Sequence, residues 1–167
     1  RNTVANESIG DLGYGIGAFD GARLELLRVE CLENTREGIF LSNGAWLSGS
    51  DVRVEGTLPG PDFQVGGAGI RVQSDSRAEV TRVAVNRNEG YGVVVSGESS
   101  GLFGDLLVSE TRELSCAVDP CANRTGGFGI AVFESLLGVD RFLVDGNAFC
   151  GIQVANRGEL DLHQGMV

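Results

Sequence analysis

Glycine recurs along this chain with a regular period, and this period constrains the fold more than any other feature. The 167 residues include 26 glycines, about twice the usual share of roughly 7%. Six of them, spaced 23, 31, 23, 37 and 22 residues apart, anchor the pattern: Gly15, Gly38, Gly69, Gly92, Gly129 and Gly151. The two longer spacings indicate insertions near 57–67 and 113–127, each just before an anchor glycine. A fixed period with insertions at one point is typical of stacked supersecondary units.

Hydrophobic residues alternate after each anchor glycine. The position one residue after the anchor glycine is occupied in successive coils by Ile16, Ile39, Ile70, Val93, Ile130 and Ile152. The position three residues after it is occupied by Ala18, Leu41, Val72, Val95, Val132 and Val154. Two further alternating segments follow in each repeat, for example Leu24 and Leu26, then Val29 and Cys31. Period-two alternation in short β-branched runs predicts strands. We therefore expect one all-β domain over 1–167, with about six coils of roughly 22–23 residues and three short strands per coil.

A second ladder supports this stacking. Asn34, Asn88 and Asn147 each lie four residues before the next anchor glycine. Asparagine tolerates the left-handed backbone of a sharp turn, and stacked amides can bond along the axis. On these ladders the chain resembles the right-handed parallel β-helix superfamily, the pectate-lyase-like fold, from about Gly13 to Leu162. The resemblance implies a right-handed single-stranded solenoid. Since such a rod has open strand edges, we expect adjoining coils of a longer chain to cover them.

Charge and composition narrow the classes of partner and chemistry. The formal net charge of −10 argues against nucleic acid and anionic membranes as partners. No run of 18 apolar residues exists, so we expect no membrane span. All 13 basic residues are arginine, which excludes lysine-dependent chemistry and predicts a GC-rich, bacterial genome. The single histidine, His163, argues against a self-contained Ser-His-Asp triad or a multi-histidine zinc site.

The four cysteines fall into different settings. Cys31 shares an inward ladder position with valines of other coils, so we predict that it is buried. Cys116 and Cys121 flank Ala-Val-Asp-Pro in the longest insertion, where we predict a disulfide. A disulfide implies an oxidising compartment, namely extracellular, cell-surface or periplasmic. The metal alternative has only Cys150 as a further candidate ligand, so we predict no metal site.

One outward position alternates in charge along the chain. It is occupied in successive coils by Arg28, Asp51, Arg82, Asp105 and Arg141. Neighbouring coils bring these residues within salt-bridge reach, so a self-neutralised ladder is the simpler interpretation. The alternative is a saccharide groove, in which Asp51, Arg82 and Asp105 bind sugar hydroxyls and uronate carboxylates.

The outward side of the first strand is the second candidate surface, because it is more apolar than a solvated strand requires. It carries Phe19, Phe40 and Phe133, with Arg71 and Gln73 in intervening coils. These side chains either pack under the chain's own insertions or bind a partner. In enzymes of the superfamily that the chain resembles, the polysaccharide lies along such a sheet between loops. The resemblance therefore implies a ligand, glycan or protein, at this surface.

Catalytic signatures of that superfamily do not transfer to this chain. Polygalacturonase-like members carry paired aspartates, Gly-His-Gly and Arg-x-Lys, none of which occurs here. Pectate-lyase-like members use clustered aspartates to bind Ca²⁺ and an arginine as the catalytic base. Arg71 or Arg82, near Asp51, Asp75 or Asp105, could imitate this arrangement. These aspartates do not have the sequence spacing of a Ca²⁺ site.

We therefore expect a non-catalytic structural or binding module of a secreted or cell-surface protein, without a cofactor. The alternative is a polysaccharide lyase or glycoside hydrolase with an atypical site, and only that alternative would use Ca²⁺. A third possibility is that catalytic residues lie in coils outside this sequence.

Overall fold

The structure, a computed structural model, describes residues 13–60, 67–114 and 126–167. These ranges are all-β, with twelve strands and no helix. Neighbouring strands are parallel and form two six-stranded sheets, each of which takes every second strand of the chain. The first sheet contains β1 (Tyr14–Phe19), β3 (Glu37–Ser42), β5 (Ala68–Gln73), β7 (Tyr91–Ser96), β9 (Phe128–Phe133) and β11 (Cys150–Ala155). The second contains β2 (Arg23–Leu32), β4 (Trp46–Glu55), β6 (Arg77–Asn86), β8 (Ser100–Ser109), β10 (Leu136–Asp145) and β12 (Glu159–Met166). One short and one long strand thus make a repeat, numbered 1 to 6 along the chain.

Strand register confirms the predicted hydrophobic ladders. In the first sheet Ile16 pairs with Ile39, Ile39 with Ile70, and so on through all six repeats. Ile39 and Ile70 are fully buried. The inward residues of both sheets form one continuous hydrophobic cluster that extends from repeat 1 into repeat 6. Burial of these aliphatic side chains is the main stabilising contribution to the stack.

The prediction of three short strands per repeat is wrong, because the second and third segments form one strand of eight to ten residues. The residue in the middle of each long strand has a left-handed backbone, with φ of 54° at Arg28 and 58° at Asp51. Ladder pairing continues on both sides of this residue. The left-handed residue shifts the in–out alternation by one position, so Leu26 and Val29 both pack into the core. That phase shift resembles a break between strands in the sequence.

The anchor glycines make room for a polar side chain from the end of the same repeat. A Cβ atom on Gly69 would lie 2.7 Å from Nδ2 of Asn88 and 2.8 Å from the carbonyl oxygen of the next anchor glycine. Oδ1 of Asn88 accepts a hydrogen bond from the backbone N–H of Thr57 at 2.9 Å. Asn147 accepts one from the N–H of Thr111 in the same way, at 3.1 Å. The predicted asparagine ladder is therefore an alternating Asn–Thr ladder that links neighbouring repeats.

A buried serine ladder links the repeats at the opposite turn, immediately before β6, β8 and β10. The backbone N–H of Ser76 donates to Oγ of Ser99 at 3.1 Å, and the N–H of Ser99 donates to Oγ of Ser135 at 3.0 Å. Oγ of Ser76 in turn accepts from the N–H of Ala45 at 3.1 Å. Each serine hydroxyl thus satisfies a turn N–H of the preceding repeat, which would otherwise be buried without a partner.

Two of the connections that lead into the first sheet are longer than the others. The connections from β4 to β5 (residues 56–67) and from β8 to β9 (residues 110–127) are longer than the four-residue connections at the same place in other repeats. Cys31 is fully buried, as predicted, and neither Cys31 nor Cys150 is in a disulfide. The predicted disulfide partners Cys116 and Cys121 lie outside the described residues.

Candidate functional site

The alternating charges of the second sheet form bidentate ion pairs between successive repeats. Nε and Nη2 of Arg82 donate to the two carboxylate oxygens of Asp51 at 2.6 and 2.8 Å. Arg141 binds Asp105 with the same geometry, at 2.6 and 3.0 Å. All four side chains are exposed. The self-neutralised ladder predicted from the sequence is confirmed for these two pairs.

This pairing sets the protonation states of the ladder. The hydrogen bonds from Arg82 hold the pKa of Asp51 below its usual value of 3.8, and those from Arg141 do the same for Asp105. In return, the hydrogen bond to Asp51 raises the pKa of Arg82. An arginine acts as a base only when its pKa is strongly lowered. The environment of Arg82 therefore has the opposite effect to the one a catalytic base needs.

Arg71, a second candidate, is committed to a buried ion pair on the outer side of the first sheet. Its Nε donates to Oε1 of Glu37 at 2.9 Å, and the two residues are 8% and 2% exposed. The guanidinium also lies 5.8 Å from the ring centroid of Tyr91. Removing one partner of a buried pair leaves an uncompensated charge. Sequence analysis missed Glu37 and Tyr91, although both stand one residue before an anchor glycine.

The predicted phenylalanines do not form one continuous stripe. Phe40 is buried, and its ring centroid lies 4.8 Å from that of Tyr14 and 5.4 Å from that of Phe19. Phe19 is 38% exposed, so this aromatic cluster of repeats 1 and 2 is open to solvent. Phe133 lies in repeat 5, half-buried, and packs against a small separate cluster of buried outward residues.

The remaining placements divide the candidate residues between the two sheets. Gln73 is half-buried at the end of β5, where it pairs in register with Ser96. The first sheet thus carries Phe19, Phe40, Arg71, Gln73 and Phe133, whereas the second carries Asp51, Arg82 and Asp105. The structure therefore presents two separate surfaces. One is partly aromatic, and the other carries the Asp51–Arg82 and Asp105–Arg141 ion pairs.

Polar groups border the exposed ring of Phe19. Asp20 follows Phe19 at the turn, and its Oδ1 accepts a hydrogen bond from Nδ2 of Asn43 at 3.1 Å. Both polar side chains are exposed. An aromatic ring in this position can contact the apolar face of a ligand, while the neighbouring carboxylate and amide groups form hydrogen bonds with hydroxyl groups of the ligand.

Within 13–60, 67–114 and 126–167, no three His, Cys, Asp or Glu side chains lie close enough together to hold a metal ion. The same residues contain no helix that is long and apolar enough to cross a membrane. Comparisons with models of known families, with characterised proteins and with solved structures gave no match to this chain. What defines the class of this protein is therefore its pair of parallel sheets and the surfaces that they present.

Proposed function

We propose that the chain is a right-handed single-stranded parallel β-helix, a solenoid in which each repeat makes one turn. Alternation of strands between two sheets supports this architecture. So do the left-handed residues that recur at three places in a repeat, such as Asn43, Asp51 and Gly56 in repeat 2. With strands about 4.8 Å apart, six turns make a rod on the order of 30 Å long.

We further propose that this rod is a non-catalytic structural or binding module of a secreted or cell-surface protein, which engages a glycan or a protein. The observation that carries the proposal is the open aromatic cluster of Tyr14, Phe19 and Phe40, with Asp20 and Asn43 at its border. Aromatic rings provide large apolar contact area with little loss of side-chain entropy. The cluster therefore suits the apolar face of a sugar ring or an apolar side chain of a partner.

The ion pairs of both sheets weigh against the lyase alternative. Arg71 is buried against Glu37, and Arg82 is bound at two positions by Asp51. Neither guanidinium is placed as a proton acceptor for a bound substrate. A binding module agrees better with these contacts than a lyase that uses either arginine as its base.

An oxidising compartment belongs to the same proposal. It rests on the Cys116–Cys121 disulfide predicted from the sequence, and on the secreted character of the superfamily that the chain resembles. An extracellular, cell-surface or periplasmic location, in a bacterium, agrees with this pairing.

The experiment is a binding and turnover screen with polyuronates and neutral glycans, with and without Ca²⁺. Binding is measured by calorimetry, while unsaturated-uronate absorbance and reducing ends report products. We expect binding without product. Phe19→Ala should weaken the binding about tenfold, since it removes an exposed aromatic contact. The matched control is Leu27→Ala, which truncates an exposed side chain of the second sheet and should leave the affinity unchanged.

Two results would overturn this proposal. Product formation that is lost in Arg71→Ala or Arg82→Ala would place the protein among the lyases. Binding that is equal for the Phe19→Ala variant and the unchanged protein would separate the ligand from the aromatic cluster.

A further inference from the structure

The two halves of the second sheet differ in charge, although their strands occupy equivalent positions in the stack. Strands β2, β4 and β6 together carry five arginines and five carboxylates. Strands β8, β10 and β12 carry one arginine and five carboxylates. That arginine, Arg141, is bound by both Asp105 and Asp140. The second half is therefore strongly acidic, whereas the first half is balanced.

The acidic half also exposes leucines at positions where the balanced half, apart from Trp46, has polar residues. Leu102 is 57% exposed and Leu136 is 49% exposed. Equivalent residues in repeats 1 to 3 are Glu25, Ser48 and Glu79 for Leu102, and Arg23, Trp46 and Arg77 for Leu136. The stack thus accommodates polar residues at these positions, so packing within the fold does not require leucine there. These exposed apolar side chains are therefore available for contact with a partner.

A shallow depression lies on the same half, beside the Asp105–Arg141 pair. Its volume is about 570 Å³, and Leu107, Phe142 and Leu143 contribute to its lining. Leu107 and Leu143 are paired in register on β8 and β10. Two residues beyond Leu143, Asp145 is exposed and takes part in no ion pair with the described residues. An apolar recess with a carboxylate nearby suits an apolar side chain that has a cationic neighbour.

We propose that the outer face of β8 and β10 is a docking surface for a basic, amphipathic segment of a partner protein. An apolar side chain of the segment enters the depression between Leu107 and Leu143, and its arginines or lysines face Asp145 and the other carboxylates of this half. A second copy of this chain fits poorly, because two molecules with a net charge of −10 repel each other. This surface is on the second sheet, so the proposal stands independently of ligand binding at Phe19.

The test uses three short synthetic peptides that can form an amphipathic helix. The first has leucines on one helix face and arginines on the opposite face. In the second peptide glutamates replace the arginines, and in the third serines replace the leucines. Backbone amide NMR shifts locate the contact, and calorimetry measures affinity. Only the leucine–arginine peptide should bind, with shifts on β8 and β10. The double variant Leu102→Ser/Leu143→Ala should weaken the affinity for this peptide about tenfold or more. Both replacements reproduce residues found at equivalent positions, Ser48 and Ala84, so the fold should be retained.

Leu27→Ser is the matched control, because Leu27 is exposed on β2 and pairs in register with Ser50. It should leave the affinity within about twofold of that of the unchanged protein. If the serine–arginine peptide bound as tightly as the leucine–arginine peptide, the binding would be unspecific charge attraction, and the proposal would be overturned. Failure of the leucine–arginine peptide to bind would overturn it as well. A concentration-dependent dimer that is abolished by Leu143→Ala would assign the surface to a second copy instead.

Discussion

Single residues at the middle of each long strand combine two roles. Arg28, Asp51, Arg82, Asp105 and Arg141 all have a left-handed backbone, which disfavours most side chains. Their side chains point outward and, in two cases, pair bidentately with the next repeat in the ladder. One position thus both bends the strand and links adjacent strands through charge.

The Asp51–Arg82 pair predicts a dependence of stability on acid. Because the folded protein lowers the pKa of Asp51 below 3.8, its stabilising contribution is present above that pH and is lost as the pH falls through the folded value. In Asp51→Asn, the urea midpoint should therefore decrease less between pH 5 and pH 2 than in the unchanged protein. Parallel urea titrations at several pH values measure this difference.

Asp75→Asn is the control for that titration. Asp75 is also exposed and left-handed, but it forms no ion pair with the described residues. Its variant keeps the Asp51–Arg82 pair and should therefore retain the acid dependence that this pair contributes. An Asp51→Asn variant with that same dependence would show that the ladder does not contribute to acid stability.

The cysteines give a second prediction at this scale. If Cys116 and Cys121 are paired in a disulfide, only the thiols of Cys31 and Cys150 should react when the protein is denatured without reductant. Before denaturation Cys31 should react slowly, because burial raises the pKa of its thiol to about 11. Titration with a chromogenic thiol reagent counts these groups. Four reactive thiols without reductant would contradict the disulfide.

At the scale of the elements, the sequence contains the ladders but not the strand boundaries. The register follows from the glycine period and from alternation, because both arise from stacking of equivalent residues. The division of each long strand was mispredicted because one left-handed residue shifts the alternation as a turn would. The Glu37–Arg71 pair was missed because it depends on side chains of strands that are 34 residues apart in sequence.

The anchor glycines can be tested with one methyl group. A Cβ atom on Gly92 would lie 2.5 Å from the carbonyl oxygen of Gly129 and in collision with Val108. Gly92→Ala should therefore destabilise the protein by about 1–3 kcal/mol, the usual cost of overpacking. Denaturant unfolding measures the change.

Gly104→Ala is the matched control, since its Cβ would meet only the methyl group of Thr81 on the outer face, at 3.2 Å. It should change the stability by no more than about 0.5 kcal/mol. Equal losses in the two variants would mean that general strand propensity, and not the close approach at Gly92, explains the anchor glycines.

At the scale of the whole molecule, the inward residues of the six repeats, within the part of the chain that the structure describes, form one continuous hydrophobic cluster. Val83 lies within it and is 2% exposed. Val83→Asp would bury an unpaired charge, at a cost of about 5 kcal/mol or more, comparable to the whole stability of many domains. We expect this variant to be unfolded by circular dichroism. Thr81→Asp on the exposed side of the same strand should remain folded. A cooperatively folded Val83→Asp protein would contradict the inward register.

The unequal connections before β5 and β9 have a consequence for how such a chain can change. Four residues join β2 to β3, whereas 12 join β4 to β5 and 18 join β8 to β9, yet the ladders on either side stay in register. Additional residues in a connection add little to the entropy cost of closing it. The connections that lead into the first sheet should therefore tolerate insertions far better than the strands do. New sequence can therefore be grafted here, by evolution or by design, and displayed beside the first sheet while the scaffold keeps its geometry.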